Sequence, residues 1–204
     1  AAAKKAQAVG DKTVGFIGGM RNSVIESFLA GYQAGVKSVD PSIKVDATYA
    51  GTFSDPAKGQ TIAKAKIAQG EHIIFQAAGG VGNGVFQAAK DQSATVVSGS
   101  KDKVWVIGVD LDQTNMGDYK TKDGKKDNLT LTSSLTGIGR GVQLIAKDAQ
   151  HDKFPGGKTV YYGLKEGGVG VVTKNLNDDE KQSVDAAKDK IINGDIKVSA
   201  TPTK

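Results

Sequence analysis

At 204 residues, with 38% hydrophobic side chains, 27 glycines and only 4 prolines, the chain has the composition of a globular α/β protein, long enough for one substantial domain or one domain and a fragment of another. The net charge of +5 comes from scattered lysines, and with only two arginines, Arg21 and Arg140, the chain lacks the arginines and interleaved aromatics of a nucleic-acid surface. There is no cysteine, which removes disulfides, thiolate metal sites and a cysteine nucleophile, and no window approaches the roughly 18 apolar residues of a membrane span.

The opening AAAKKAQAVGDK is too polar for the apolar core of a signal peptide, so any export signal or lipid anchor is expected upstream of it. KTVGFIG, 12–18, is an apolar strand ended by Gly18-Gly19, and residues 22–39 then place Val24, Ile25, Phe28, Leu29, Tyr32 and Val36 at helical spacing. IKVDATYAG, 43–51, reads as a second strand. Pro56 after Ser54-Asp55 marks a helix start, because proline loses no hydrogen bond at the first helical position and the acid caps free N–H groups. HIIFQAA, 72–78, GNGVFQAAKDQ and KVWVIGVD, 103–110, continue as strand, helix and strand.

These strands are apolar on both faces, as a buried parallel sheet requires, and four βα units in line predict an α/β fold with a doubly wound parallel sheet. After the lysine-rich loop 119–128 come a short strand, LTLTSS (129–134), a helix over 137–150 and a strand, KTVYYGL (158–164). EGGVGVV, 166–172, reads as a weak strand or hairpin return, and an acid-rich first turn opens a last helix that ends at Gly194.

In a doubly wound sheet ligands sit at the carboxyl ends of the strands. Those ends read Gly18-Gly19, Gly51-Thr52-Phe53, Ala78-Gly79-Gly80 and Asp110-Leu111-Asp112. The glycine-rich turn after the third strand is not a dinucleotide fingerprint, since 80–84 give G-x-G-x-G, and not a phosphate loop, since Val85-Phe86 stand where Lys-Ser would be needed. Neither a G-x-S-x-G elbow nor an H-E-x-x-H pair occurs, and His72 and His151 read as structural residues at element ends. Nothing in the pattern asks for a metal, a cofactor or a catalytic residue.

What remains is a cleft of glycine turns with an aromatic at Phe53 and carboxylates at Asp110 and Asp112. Bare backbone lets N–H and C=O groups approach a ligand, an aromatic face stacks on a flat ring, and a carboxylate accepts paired hydrogen bonds from sugar hydroxyls. These are the parts of a nucleoside or sugar receptor, although Phe53 could equally pack, Asp110 cap a turn, and the glycines form plain corners.

VGFIGGM (14–20), YAGTFSDPAKGQ (49–60), IIFQAAGGVGNGVFQAAK (73–90), VWVIGVDLDQ (104–113), LTLTSS (129–134) and FPGGKTVYYGLKEGGVGV (154–171) closely resemble the basic membrane protein family. These are substrate-binding lipoproteins of ABC importers related to the purine nucleoside receptor, and the six blocks cover nearly the whole chain. The resemblance implies two lobes of type I periplasmic-binding-protein kind with a nucleoside between them. It assigns 1–128 and 156–204 to the C-terminal lobe, and the strand and helix of 129–155 to an N-terminal lobe whose remainder would precede this chain.

The resemblance also implies site roles: Phe53 as one half of an aromatic sandwich around the base, Gly80 as a backbone contact near the ribose, and Asp110 as the carboxylate on the ribose hydroxyls. Asp112 is the next candidate. Many members carry a lysine where this chain has Thr136, shorter and neutral. Helix N–H groups from about Asn83 are expected to help orient neutral ligand oxygens.

The implied partners are a purine nucleoside and an ABC permease, and the implied location is the extracytoplasmic face of a membrane, reached through an N-terminal lipid anchor. Without its second lobe the chain is expected to bury Leu135, Ile138, Val142, Leu144, Ile145 and Ala146 by self-association as a dimer, and to bind its ligand weakly. Two other classes fit the same residues: the core of a sugar-sensing regulator with a DNA-binding segment upstream, and an α/β enzyme acting on nucleosides.

Overall fold

The computed structural model describes residues 1–203. Its first element, α1 (Ala2–Val9), is a helix that no signal above predicts. It has no side-chain cap, and it is held by burial of Ala2, Ala3 and Ala6 against the sheet and stopped by Gly10 in the left-handed region, φ 92°. Asp11 then ties the helix exit to the base of the sheet, accepting the His72 backbone N–H at 2.9 Å and pairing with the ring Nδ1 of His72 at 2.9 Å.

Three βα units follow: β1 (Thr13–Gly18) with α2 (Ser23–Val39), β2 (Lys44–Tyr49) with α3 (Pro56–Ala68), and β3 (Ile73–Ala77) with α4 (Val81–Ser93). Side-chain oxygens start two of the helices. Asn22 Oδ1 accepts from the N–H groups of Val24 and Ile25, both at 3.0 Å, and Asp55 Oδ1 accepts from that of Lys58 at 3.1 Å with Pro56 at the first helical turn, as expected from the sequence.

After β4 (Trp105–Asp110) come a 3-10 turn at Thr114–Gly117 and a small hairpin of β5 (Asp118–Lys120) and β6 (Lys126–Asn128). The chain ends with β7 (Thr130–Thr136), α5 (Ile138–Gln150), β8 (Val169–Val171) and α6 (Asp178–Ile192). Asn177 and Glu180 close a reciprocal capping box on the acid-rich start of α6.

The main sheet has the order β2-β1-β3-β4-β7-β8, parallel except for β8, which returns antiparallel on β7. Alternate strand residues feed two cores. Phe16, Ile73 and Phe75 face α1 and α2 on one side, while Ile17, Ile74 and Val106 face α3 and α4 on the other. This is the doubly wound arrangement, and each large side chain buried in it contributes about 1.5–3 kcal/mol.

Two expectations are corrected. The strand at 129–134 was assigned to a second lobe; β7 is instead the fifth strand of this sheet, with Gly108 opposite Ser133 and Asp110 opposite Leu135. Leu131 in β7 and Leu129 just before it, both fully buried, supply one core each, because the register slips by a residue between Val106 and Ile107. The stretch 158–164 forms no strand. The short return strand β8 occupies the edge of β7 instead, so the alternating Val160-Tyr161-Tyr162 run pairs with nothing, and Tyr161 is 88% exposed.

Between Gly137 and Gly168 the chain leaves the sheet. No residue of α5 is buried; Ile138 and Val142 are 71% and 63% exposed, on the same helix face, and Phe154 is 65% exposed.

Candidate functional site

The strand ends β1, β2 and β3 form one side of a depression at the carboxyl edge of the sheet. The β1–β2 ladder runs on past the strands, with Ala50 N–H to Gly18 O at 2.9 Å and Gly51 N–H to Gly19 O at 2.8 Å, and Gly51 turns the chain at φ 73° to deliver Phe53. The Phe53 ring rests on the bare backbone of Gly19, where a Cβ would lie 2.2 Å from Cδ1 of the ring. A side chain at position 19 would therefore evict the ring. Phe53 is 38% exposed, with part of the ring open to solvent.

The Phe53 carbonyl in turn lies against the glycine turn, 3.1 Å from where a Cβ of Gly80 would be. Gly79 sits at φ 57°. The first N–H groups of α4 are used locally: Val81 donates to Ala78 O at 3.2 Å, Gly82 to Gly79 O at 3.0 Å and Asn83 to Gly80 O at 3.2 Å. This corrects the expectation that N–H groups from Asn83 onward face a ligand. In this turn the backbone N–H groups of Gly79 and Gly80 have no acceptor among the described residues.

On the other side, Asp110 ends β4 in the left-handed region at φ 66°, one of two non-glycine residues among those described that do so. Its Oδ1 accepts the Thr136 hydroxyl at 2.8 Å, so two of the candidate residues, 26 positions apart, are joined where β4 and β7 finish side by side. Backbone strain of this kind gathers at ligand sites, where the surroundings hold it in place.

Asp112 is already engaged. Its Oδ1 accepts the Thr114 N–H at 3.0 Å and the Thr114 hydroxyl at 2.5 Å, and its Oδ2 accepts from Lys174 Nζ at 3.0 Å. The Thr114 hydroxyl, then its N–H, then Lys174 hold the carboxyl down to about 2. Asp112 thus closes a local turn onto Thr114 and anchors the return segment after β8.

A cavity of about 370 Å³ opens between the two sides, lined by Gly79, Val109, Asp110, Leu111, Asp112 and Met116 among others. Asp110 and Asp112 line it directly, Phe53 and Gly80 border it at Gly79, and Thr136 stands behind Asp110. A second groove, of about 400 Å³ between α3 and α4 with Lys64 and Asp91 across it, lies on the flank of the sheet away from the strand ends.

The bonds that fix the site carry no signal in the sequence: Lys174 reaches Asp112 from 62 residues away, and Thr136 reaches Asp110 from 26. His72 is paired with Asp11, and His151 bonds the Lys147 carbonyl at 2.7 Å, both structural. Among the described residues no group of three or more His, Cys, Asp or Glu side chains could hold a metal ion.

Over residues 1–202 the chain matches the family described as ABC transporter substrate-binding protein PnrA-like. The chain belongs to this family. The PnrA-like chain is 49% identical over 193 residues to the ABC transporter nucleoside-binding protein BmpA of Lactococcus lactis subsp. cremoris, covering 95% of this chain and 54% of that protein. It is 43% identical over 191 residues to a CD4+ T-cell-stimulating antigen of Listeria monocytogenes, covering 93% and 53%. It is 34% identical over 186 residues to basic membrane protein A of Borreliella afzelii, covering 90% and 52%. The PnrA-like chain therefore spans about half the length of the curated relatives it matches.

Among solved structures, an ABC transporter system solute-binding protein from Aeropyrum pernix K1 superposes with a TM-score of 0.75 at 25% identity, covering 100% of this chain and 61% of that one. A transcriptional activator of the comK gene from Bacillus halodurans superposes with a TM-score of 0.74 at 20% identity, covering 96% and 62%, which shows that receptors and regulators share this fold. The family is one of substrate-binding proteins, not enzymes, and the enzyme reading falls away.

Proposed function

We propose that this chain is the larger share of a nucleoside receptor serving an ABC importer, and that it supplies one wall of the ligand cleft. The observation that carries the reading is a single juxtaposition: a part-exposed phenyl ring at Phe53 packed against the Gly79-Gly80 turn, and Asp110, on strained backbone, lining the cavity that Gly79 also lines. The ring suits a flat base, Asp110 suits the hydroxyls of a ribose, and the bare N–H groups of Gly79 and Gly80 suit a neutral ligand oxygen. Identity of 49% to a protein named as nucleoside-binding supports the choice of ligand.

In this reading Phe53 is half of an aromatic sandwich and Gly80 a backbone contact near the sugar. Thr136 orients Asp110, and Asp112 braces the turn electrostatically. The purine class is the preferred ligand, the permease the transport partner, and the working location extracytoplasmic through a lipid anchor. Helix α5 and the chain after it to residue 155 belong to the other lobe, whose remainder covers Ile138 and Val142. Alone, the chain closes that face by self-association, and it binds its ligand at micromolar strength or weaker, since each 1.4 kcal/mol lost with the second wall is a factor of ten.

Calorimetric titration of the native full-length protein with purine and pyrimidine nucleosides, free bases and ribose tests this directly. The expected result is tight binding of a nucleoside and weak binding of its parts. Equal affinity for free ribose and nucleoside would point to a sugar receptor, and no binding by any of them would end the reading.

A further inference from the structure

Gln113 follows the Asp110-Leu111-Asp112 turn, and its polar groups reach three strands. Its side-chain Oε1 accepts the Val109 N–H at 2.9 Å and an N–H of the Gln76 amide at 2.8 Å. Its backbone N–H donates to Ser133 Oγ at 3.1 Å, its carbonyl accepts from Thr130 Oγ1 at 3.3 Å, and its own amide points at Met116 Sδ, 3.3 Å away. It is thus bonded to β3, to β4 and to β7 at the edge where the ligand cavity opens.

The orientation of both amides is forced. Val109 presents a backbone N–H, so Gln113 must offer oxygen there, and Gln76, fully buried, must then offer its NH₂. That leaves Gln76 Oε1 against Gly82 without a hydrogen-bond partner among the described residues. A buried acceptor is left unpaired only where something else fixes it, and here the fixed element is the Gln113 carbonyl oxygen. Bare backbone accommodates the arrangement: a Cβ at Gly108 would lie 2.7 Å from Gln113 Oε1 and 2.6 Å from Ser133 Oγ, and a Cβ at Gly82 would lie 2.2 Å from Gln76 Oε1.

What the clamp restrains is the turn that starts at Asp110. Val109 and Gln113 bracket residues 110–112, and the bond between them holds the turn closed with Asp110 at φ 66°, Oδ1 on Thr136 and Oδ2 without a partner among the described residues.

We propose that Gln113 is the positioning residue for the ligand-binding carboxylate: by closing the 109–113 turn it sets Asp110 ready to accept the vicinal hydroxyls of a ribose. The inference rests on the nucleoside reading for its ligand, and on the turn geometry alone for the positioning. Gln113 itself lines the cavity, and its positioning role runs through Asp110.

The test uses Gln113→Leu and, because an unpaired Val109 N–H could compromise folding, Ser133→Ala, which removes only the bond to the Gln113 backbone. A crystal structure of either variant is expected to show Asp110 out of the left-handed region and its Thr136 bond lost. In the native full-length protein, the ratio of affinities for a purine ribonucleoside and its 2′,3′-dideoxy analogue is expected to fall about tenfold or more in Gln113→Leu and less in Ser133→Ala, with binding of the dideoxy compound nearly unchanged. An unaltered turn, or equal losses for both ligands, would overturn the positioning role. If the parent protein binds neither compound, the nucleoside reading fails, and the turn in the variant structures still decides whether Gln113 sets Asp110.

Discussion

Replacing Phe53 by alanine removes the part-exposed ring beside the Gly79-Gly80 turn that the proposed function assigns to the base. The ring is 38% exposed and rests on the bare backbone of Gly19, with Gly79 beside it, so its loss opens a surface notch and not a core cavity. The stability loss should fall well short of the roughly 3–5 kcal/mol of a buried Phe→Ala change. The effect on binding is larger. Stacking of a base on an aromatic side chain is worth about 1–3 kcal/mol, so the dissociation constant for a purine nucleoside should rise between about fivefold and a hundredfold, with affinity for free ribose unmoved. Calorimetry on Phe53→Ala and Phe53→Trp, alongside thermal melts, separates the two effects. The tryptophan variant should keep or improve the affinity. Unchanged nucleoside binding by Phe53→Ala, with the fold intact, would refute the assignment of Phe53 to the base.

Asp110→Asn keeps the shape and the Thr136 contact but loses the anionic acceptor, and a nucleoside dissociation constant raised about tenfold or more is expected by calorimetry, with little change in melting temperature. Lys174→Met unpairs Asp112 from the return segment, and because the pair is half exposed the midpoint of a denaturant melt is expected to move little. Glu71 lies buried beside Lys66 and Asp46, and burial, opposed by Lys66 and assisted by Asp46, pushes its carboxyl up to about 7. A raised carboxyl favours the protonated folded state, so stability should decline as pH rises from about 4.5 through 7. Glu71→Gln should flatten that decline in melts from pH 4 to 8, and an unchanged slope would show that Glu71 is not its source. Light scattering on this chain alone should give a dimer, and Ile138→Lys with Val142→Lys should return it to monomer; a monodisperse parent monomer would contradict the self-association proposed for the α5 face.

The parts of the fold written in local chemistry were legible in the sequence. The glycines after β1, the Asp55-Pro56 start of α3 and the acid-rich start of α6 each announce an element within a few residues, and the doubly wound sheet follows from their order. Helix α1 was not legible, because eight residues without a side-chain cap make a marginal helix on their own, and burial of its alanines against the sheet holds it. The alternating run 158–164 has a strand's pattern and no partner edge, and pairing is a property of the neighbour. The membership of β7 was misjudged for the same reason: LTLTSS states that a strand exists and is silent about which sheet receives it.

At the site, the strand-end rule located Phe53, Gly80 and Asp110 within one depression, but not the bonds that fix them. The Thr136 hydroxyl on Asp110, Lys174 on Asp112 and the Gln76–Gln113 amide pair join residues 26, 62 and 37 positions apart, and no local pattern encodes them. Asp112 looked like a second ligand carboxylate because it stands two residues from Asp110, the spacing that also suits a cap for the turn ending at Gly117.

The most direct test of the account is a crystal structure of the native full-length protein with a purine ribonucleoside bound. The account predicts the base stacked on Phe53 and the ribose hydroxyls within hydrogen-bond reach of Asp110, above the Gly79-Gly80 turn. A nucleoside bound elsewhere, or bound here with its sugar turned away from Asp110, would contradict it.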